Sequence, residues 1–304
     1  MNDFHVKLKP LLSLLSGGGG GSGLITGGAA AAKGIQATGG VINDFTHPGG
    51  NIYRAHIFNS SGTFTVSAVS EDPASLPDTV EYLVVAGGGG GGSKDCGGGG
   101  GAGGLRTNLS GHPLAGSAFP VSSSPGSYTV TVGAGGAGIR YPAQSINGSN
   151  SSFGPTIVST GGGRGGSAYA DAGGTGGSGG GSMINTPPGT HPGAVGNTPP
   201  VSPPQGNPGG SALHLSGVYG MAGGGGGAGG TGGSGAVPGG GGDGGIGVQV
   251  LIAGSPASDQ PVGTPGPASG KGYFAGGGGE ASSVGSGSGG DGGGGAGRSG
   301  SGTG

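Results

Sequence analysis

The sequence predicts a mainly β protein with little or no helix: a small antiparallel β-sandwich plus a polyglycine II helix bundle joined by Pro/Ser-rich loops. Three observations predict it. Glycine supplies 94 of the 304 residues, in nearly pure runs such as Gly87–Gly92, Gly97–Gly101 and Gly223–Gly227. Short β-branched or aromatic segments alternate with these runs up to about residue 160. Beyond that point strand signals fade, and glycine runs alternate with Pro/Ser/Thr stretches. Glycine brings no side chain to bury and loses more conformational freedom on folding than any other residue. A chain this rich in it is either a flexible tether or a structure held by backbone hydrogen bonds.

Residues 1–40 form an N-terminal attachment segment in this reading. Lys7 and Lys9 followed by Leu11–Leu15 faintly resemble a signal peptide. The apolar stretch is short and Pro10 interrupts its start, so a docking helix or strand is the better reading. Residues 41–160 carry the sandwich with glycine-rich insertions. Its five strands are Ile52–Phe58, Thr63–Val66, Val80–Ala86, Ser127–Val132 and a last one around Phe153 and Thr156–Ser159. Each is short and bounded by Gly, Pro or Asn, as strands are. Val80–Ala86 is the strongest and should lie at the heart of a single hydrophobic core.

Residues 161–304 form the polyglycine II-type domain. Each run would be an extended helix with three residues per turn and no internal hydrogen bonds. Its N–H and C=O groups then point outward to neighbouring runs on every side. Only glycine lets backbones approach so closely, so the runs must be nearly pure. The Pro-rich stretches at 186–188, 198–204 and 261–267 would be the loops. Composition alone favours a flexible linker. Recurring runs of about four to six glycines, and single apolar residues such as Ile184, Ile246 and Val248 between them, favour the bundle. Collagen is excluded because glycine does not recur strictly at every third position.

Charge and motif content exclude several functions. There are 10 Lys and Arg against 12 Asp and Glu, scattered along the chain. That leaves no basic patch for nucleic acid. No segment has the apolar length of a membrane span. Cys96 stands alone, so it forms no intrachain disulfide and no multi-cysteine metal site. The histidines are isolated from one another, which leaves no metal ligand set, and no cofactor is implied. Gly176–Gly180 fits G-x-S-x-G literally but lacks the strand and helix of a nucleophile elbow. Gly270-Lys271 is followed by Gly272, not Ser or Thr, so it is no phosphate loop. Asn59, Asn108, Asn147 and Asn150 head N-x-S/T triplets that a Ser/Asn-rich chain produces by chance. No paired carboxylates and no nucleophile with a base appear, so no catalytic residue is assigned and the chain is read as a non-enzyme.

The order of segments carries a resemblance. Ser61–Val66, Val80–Gly90, Gly97–Gly104, Tyr128–Gly138 and Asn150–Gly154 resemble the glycine-rich domain of bacteriophage tail and tail-fibre proteins. Asn197–Asn207 and Tyr273–Gly279 look like that family too, so the similarity runs from about residue 40 to the end. A looser similarity exists to tail-fibre adhesins whose tips are polyglycine sandwiches with receptor-binding loops. The resemblance implies an extracellular virion protein at a fibre or tail extremity. It implies contacts with other virion proteins and with a host surface glycan or outer-membrane protein, and it is compatible with a homo-oligomer. Family members commonly end in a hydrophobic strand, whereas this chain ends Arg298–Gly304. Either the end is shortened or a partner supplies the strand.

Host attachment through loops is therefore the leading expectation. The loop regions are Leu105–Ser124, Met183–Tyr219 and Val248–Tyr273. Within them Arg106, His112, Phe119, His191, His214 and Tyr219 are the receptor-binding candidates. Tyr273 and Phe274 belong to the framework. The alternative is a purely architectural decoration, shaft or matrix protein without a receptor. A third reading is an ice-binding protein, since polyglycine bundles can present flat ordered faces.

Overall fold

A computed structural model describes residues 4–8, 34–47, 52–93, 96–140, 142–167, 172–183, 188–215, 220–237, 240–254, 261–267, 270–282 and 285–298. The described chain contains no α-helix. Its first strands are β1 (Phe4–Leu8), β2 (Gln36–Thr38), β3 (Val41–Thr46), β4 (Ile52–Phe58), β5 (Gly62–Ala68), β6 (Thr79–Val85), β7 (Cys96–Gly97), β8 (Leu105–Thr107), β9 (Phe119–Pro120), β10 (Ser127–Thr131), β11 (Ser151–Phe153) and β12 (Ile157–Ser159). Later come β13 (Gly189–His191), β14 (Ala212–His214), β15 (Val248–Gln249), β16 (Tyr273–Phe274) and β17 (Ala281–Ser282).

Two antiparallel sheets form the sandwich, and neither closes into a barrel. One runs β3-β4-β1-β6-β8, with β9 also bonded to β6; the other runs β12-β11-β10-β5-β2. The strands read from the sequence around 52–58, 63–66, 80–86, 127–132 and 156–159 match β4, β5, β6, β10 and β12. Phe4–Leu8, placed by the sequence in an attachment segment, sits between β4 and β6. Leu11–Leu15 lie outside the described residues. Gly39, at φ 113°, turns the chain from β2 into β3, a left-handed conformation that glycine adopts without steric cost.

The expected single core is two cores, because β6 is buried on both faces. Val80, Tyr82 and Val84 pack between the sheets with Phe58, Phe64, Val66, Val130 and Phe153. Leu83 and Val85 face the other way, onto Ala55, Ile57, Leu105, Val250, Ile252 and Phe274. Residues from beyond 228 thus cover the outer face of the first sheet. A continuous apolar run such as Val80–Ala86, less its one glutamate, is what a strand covered on both sides requires.

The glycine runs make a hydrogen-bonded array with a period of three. From Gly223 to Ala228, six consecutive N–H groups donate at 2.8–2.9 Å to Ser182, Gly233, Gly278, Gly179, Gly230 and Ala275 in turn. Residues three apart therefore address the same neighbouring segment. The carbonyls of Gly223–Gly227 accept at 2.7–3.1 Å from Gly99, Gly210, Gly245, Ala102 and Asn207, again repeating after three. This run is surrounded by six segments. An α-helix would bond within itself and a strand would bond to two neighbours; a threefold extended backbone bonds in all directions. The same period appears at Gly241, Gly244 and Gly247, which donate to Gly285, Ser288 and Asp291.

The array draws on runs from both sides of residue 160. Gly87 and Gly90 donate to Ser149 and Ile146, while Gly98 and Gly101 donate to Gly166 and Gly163. In one row side chains share the bonding with backbone, on either side of the Gly148 amide that donates to the Gly162 carbonyl. The amides of Gly161 and Arg164 donate at 2.9 Å to the Oδ1 atoms of Asn150 and Asn147. These asparagines are themselves three residues apart, so the substitution keeps the period.

Two expectations follow. Leu83 is 0% exposed, and Leu83→Ala should cost about 2–5 kcal/mol by denaturant unfolding. Within the array, a Cβ on Gly225 would fall on the carbonyl of Gly100, whereas one on Gly91 meets nothing within 4 Å. Gly225→Ala should orphan buried backbone groups at about 1–3 kcal/mol each. Gly91→Ala should be neutral or stabilise by up to about 1 kcal/mol. Equal, silent behaviour of the two variants in a thermal melt would overturn the array.

Candidate functional site

The first and third loop regions meet at one cleft. Asn108 starts the loop after β8 by imitating a strand: its Oδ1 accepts from the Tyr82 amide at 2.6 Å and its Nδ2 donates to the Val80 carbonyl at 2.9 Å. The Ser110 amide then donates to Glu81 Oε1 at 3.0 Å. His112 Nδ1 accepts from the Leu114 amide at 3.1 Å, which leaves Nε2 as the donor to the Gln249 carbonyl, also at 3.1 Å. Burial holds this imidazole below its ordinary pKa, in keeping with the neutral tautomer. His112 is thus a clamp between loops, with both nitrogens used internally. The cleft it closes measures about 430 Å³ and is lined by Phe45, His47, Tyr53, Glu81, Gln249 and Leu251. Phe45 and Tyr53 stack with centroids 5.8 Å apart, and His47 meets Tyr53 edge-on.

The first and second loop regions meet at another cleft, of about 550 Å³. Arg106 and Phe119 both line it, with Tyr82, Tyr128, Ile157 and Ser202. Arg106 stands at the middle of β8, between the buried side chains of Leu105 and Thr107, and is half-buried. Phe119 packs on Phe153 at 4.6 Å and on Tyr128 and Tyr82 at 5.9 and 6.2 Å. Ser202 is exposed on a loop held firmly at both ends. Asn197 Oδ1 accepts from the Val201 and Gln205 amides at 3.2 Å. The buried Gln205 accepts from the Thr160 amide at 2.8 Å and donates to the Pro199 carbonyl. Asn207 Nδ2 donates to the Gly227 and Ala228 carbonyls.

The remaining candidates lie apart. His191 and His214 stand in the β13–β14 ladder, opposite Ala212 and Gly189 respectively. Neither lines the two clefts. The buried Nε2 of His191 has no hydrogen-bond partner among the described residues. Tyr219 falls outside the described residues. Phe45, Tyr53, Glu81, Tyr128 and Ser202 were not singled out by the sequence. Tyr53 shares the face of Ala55 and Ile57 along β4 at the two-residue repeat of a strand, which is the one signal that could have found it.

Glu280 is the most perturbed acid described. It is 0% exposed inside the glycine array. Oε1 accepts from the Ala222 amide at 3.2 Å, while Oε2 has no partner. Only a glycine at 241 leaves room for that carboxylate, since a Cβ there would overlap Oε2. Burial raises the carboxyl from its ordinary 4.5 to about 7. Among the described residues, no group of three or more His, Cys, Asp or Glu is placed to hold a metal ion. No described helix is long and apolar enough to cross a membrane.

A family model described as a glycine-rich domain matches residues 58–304. No curated protein and no solved structure matches the chain.

The folded state holds the Glu280 proton more tightly than the unfolded one. Stability should therefore be greatest below about pH 4.5, fall as pH rises towards 7, and level off above it, as far as this group is concerned. Glu280→Gln should remove that slope and raise the midpoint of unfolding at pH 8. Denaturant melts at pH 5 and pH 8 check both points, and an unchanged difference between them in Glu280→Gln would overturn the assignment.

Proposed function

The chain belongs to the glycine-rich domain family, and from that premise we propose a non-enzymatic structural protein of a phage particle. It stands at a tail or tail-fibre extremity and attaches to a host surface through its loops. One observation supports this reading best. Loops from three distant parts of the chain are gathered on a stiff scaffold: His112 ties the first to the third, and Ser202 brings the second beside the first. Recognition surfaces are commonly loops positioned by a rigid frame. Pre-ordering also lowers the entropy cost of binding.

In this reading the sandwich anchors the array, and the array is a spacer that resists proteases because its amides are bonded on all sides. The ice-binding alternative has a weaker observation: Thr63 and Thr65 of β5, Thr129 and Thr131 of β10 and Thr38 beside Thr65 share the outer face of the second sheet. The architectural alternative has a specific observation in its favour. Asn197 and Gln205 spend their amides on the loop itself and on Thr160, Asn207 spends its amide on Gly227 and Ala228, and His112 spends both nitrogens internally.

Excess purified chain should slow adsorption of the particle that carries it by several-fold. Chain detected in purified particles but without effect on adsorption would favour the architectural role. Absence of the chain from particles would sink both.

A further inference from the structure

We propose that the cleft between Arg106 and Tyr128 binds a carboxylate-bearing sugar, one acidic residue of a surface glycan. The inference rests on the attachment reading for its biological occupant, and on the cleft itself for its chemistry. Arg106 is half-buried, and among the described residues no carboxylate lies within ion-pairing distance of it. Its one hydrogen bond, Nη1 to the Val158 carbonyl, is 3.5 Å long, at the limit of such a contact. A guanidinium carries five donors in a planar fork that fits a carboxylate at two points. Arg54, on the same sandwich, is used differently. It grips both oxygens of Asp44 at 2.7 Å across the β3–β4 pair. Arg106 has the same fork and lacks that partner.

The walls say what else the ligand carries. Phe119, Tyr128 and Ile157 give one side an apolar surface, with Pro155 at the rim. Aromatic faces take the C–H face of a pyranose, which is apolar while its edge is polar. The edge would meet hydroxyls: exposed Ser202 and Thr156, and Tyr128, whose oxygen accepts from the Ser122 amide at 2.8 Å and keeps its own proton to donate. Arg106 pairs with Val84 across β6 and β8, on the face that also carries Tyr82, and both line the cleft. The volume of about 550 Å³ lies within the range of small-molecule sites. A bare inorganic anion would leave the aromatic wall unused, and a neutral sugar would leave the guanidinium unanswered.

The test compares methyl glucuronide, methyl glucoside and inorganic phosphate by calorimetry and by NMR titration of the whole chain. The two sugars differ in the carboxylate. Wild type should bind the glucuronide about tenfold or more tightly than the glucoside, the worth of one charged hydrogen-bonded pair. Arg106→Gln should bring the two affinities together while its melting temperature stays that of wild type. Arg106→Lys should fall between, because it keeps the charge and loses the fork. Equal binding of both sugars by wild type, no binding of either, or phosphate displacing as well as the glucuronide would each overturn the proposal. Adsorption separates it from the attachment reading. Glucuronide binding with no competition for adsorption by the purified chain would sink attachment and keep the cleft. Competition without glucuronide binding would do the reverse.

Discussion

Every other feature of this molecule depends on backbones approaching closely enough to bond to one another without side chains between them. In a sheet each strand has two bonding neighbours, and side chains fill the space above and below. In the array around Gly223–Ala228 that space is occupied by more backbone. The gain is a full set of backbone hydrogen bonds in the absence of an apolar core. The requirement is severe: at Gly225 or Gly100 even one methyl group would occupy the position of a neighbour's carbonyl or amide. Hydrogen bonds contribute only about 0.5–1.5 kcal/mol each in net terms, while fixing a residue's backbone costs about 1–2 kcal/mol. An array so balanced needs an external nucleus.

The sandwich is that nucleus, and β6 is where the two systems join. One face of β6 closes the sandwich with Tyr82 and Val84. The other receives Val250, Ile252 and Phe274 from the far end of the chain. At its C-terminal end β6 runs directly into Gly87–Gly92, the first run of the array. The same strand therefore aligns the sheet in which it lies and the glycine segments that follow. Polar side chains tie the two systems together elsewhere. Gln205 bonds to Thr160 just after β12, Asn207 bonds to Gly227 and Ala228 in the array, and Asn108 completes the edge of β6.

Much of this was legible in the sequence, and the parts that were not share a cause. Val80–Ala86, Ile52–Phe58 and Ser127–Val132 announce themselves through β-branched and aromatic side chains. The threefold backbone was readable from the purity of the runs. The partner of each run was not, because glycine has no side chain in which register could be written. That Gly98 lies against Gly166 and Gly99 against Gly223 is decided by geometry elsewhere. β2 and β3 were missed because Gln36–Thr38 is too short and Val41–Thr46 includes Asn43 and Asp44. The clefts were half-legible. Arg106 and Phe119 were both singled out and do meet, but membership of a loop does not say which loops converge. His112, a contact candidate in the sequence, also ties two loops together, a role that depends on a carbonyl 137 positions away.

Asn147 and Asn150 have a consequence beyond their two hydrogen bonds. A lattice bonded on all sides is a small crystal, and a crystal with bare facets grows. Any further extended chain, from another copy or another protein, could lay itself on a facet whose amides still point outward. The row that holds these two asparagines is mixed: Gly148 bonds through its backbone to the Gly162 carbonyl, while Asn147 and Asn150 answer Arg164 and Gly161 on either side with side-chain oxygens. In the language of crystal growth such a row is an impure step. It keeps the spacing of the surface but gives a further pure glycine chain a poorer template than an all-backbone row would.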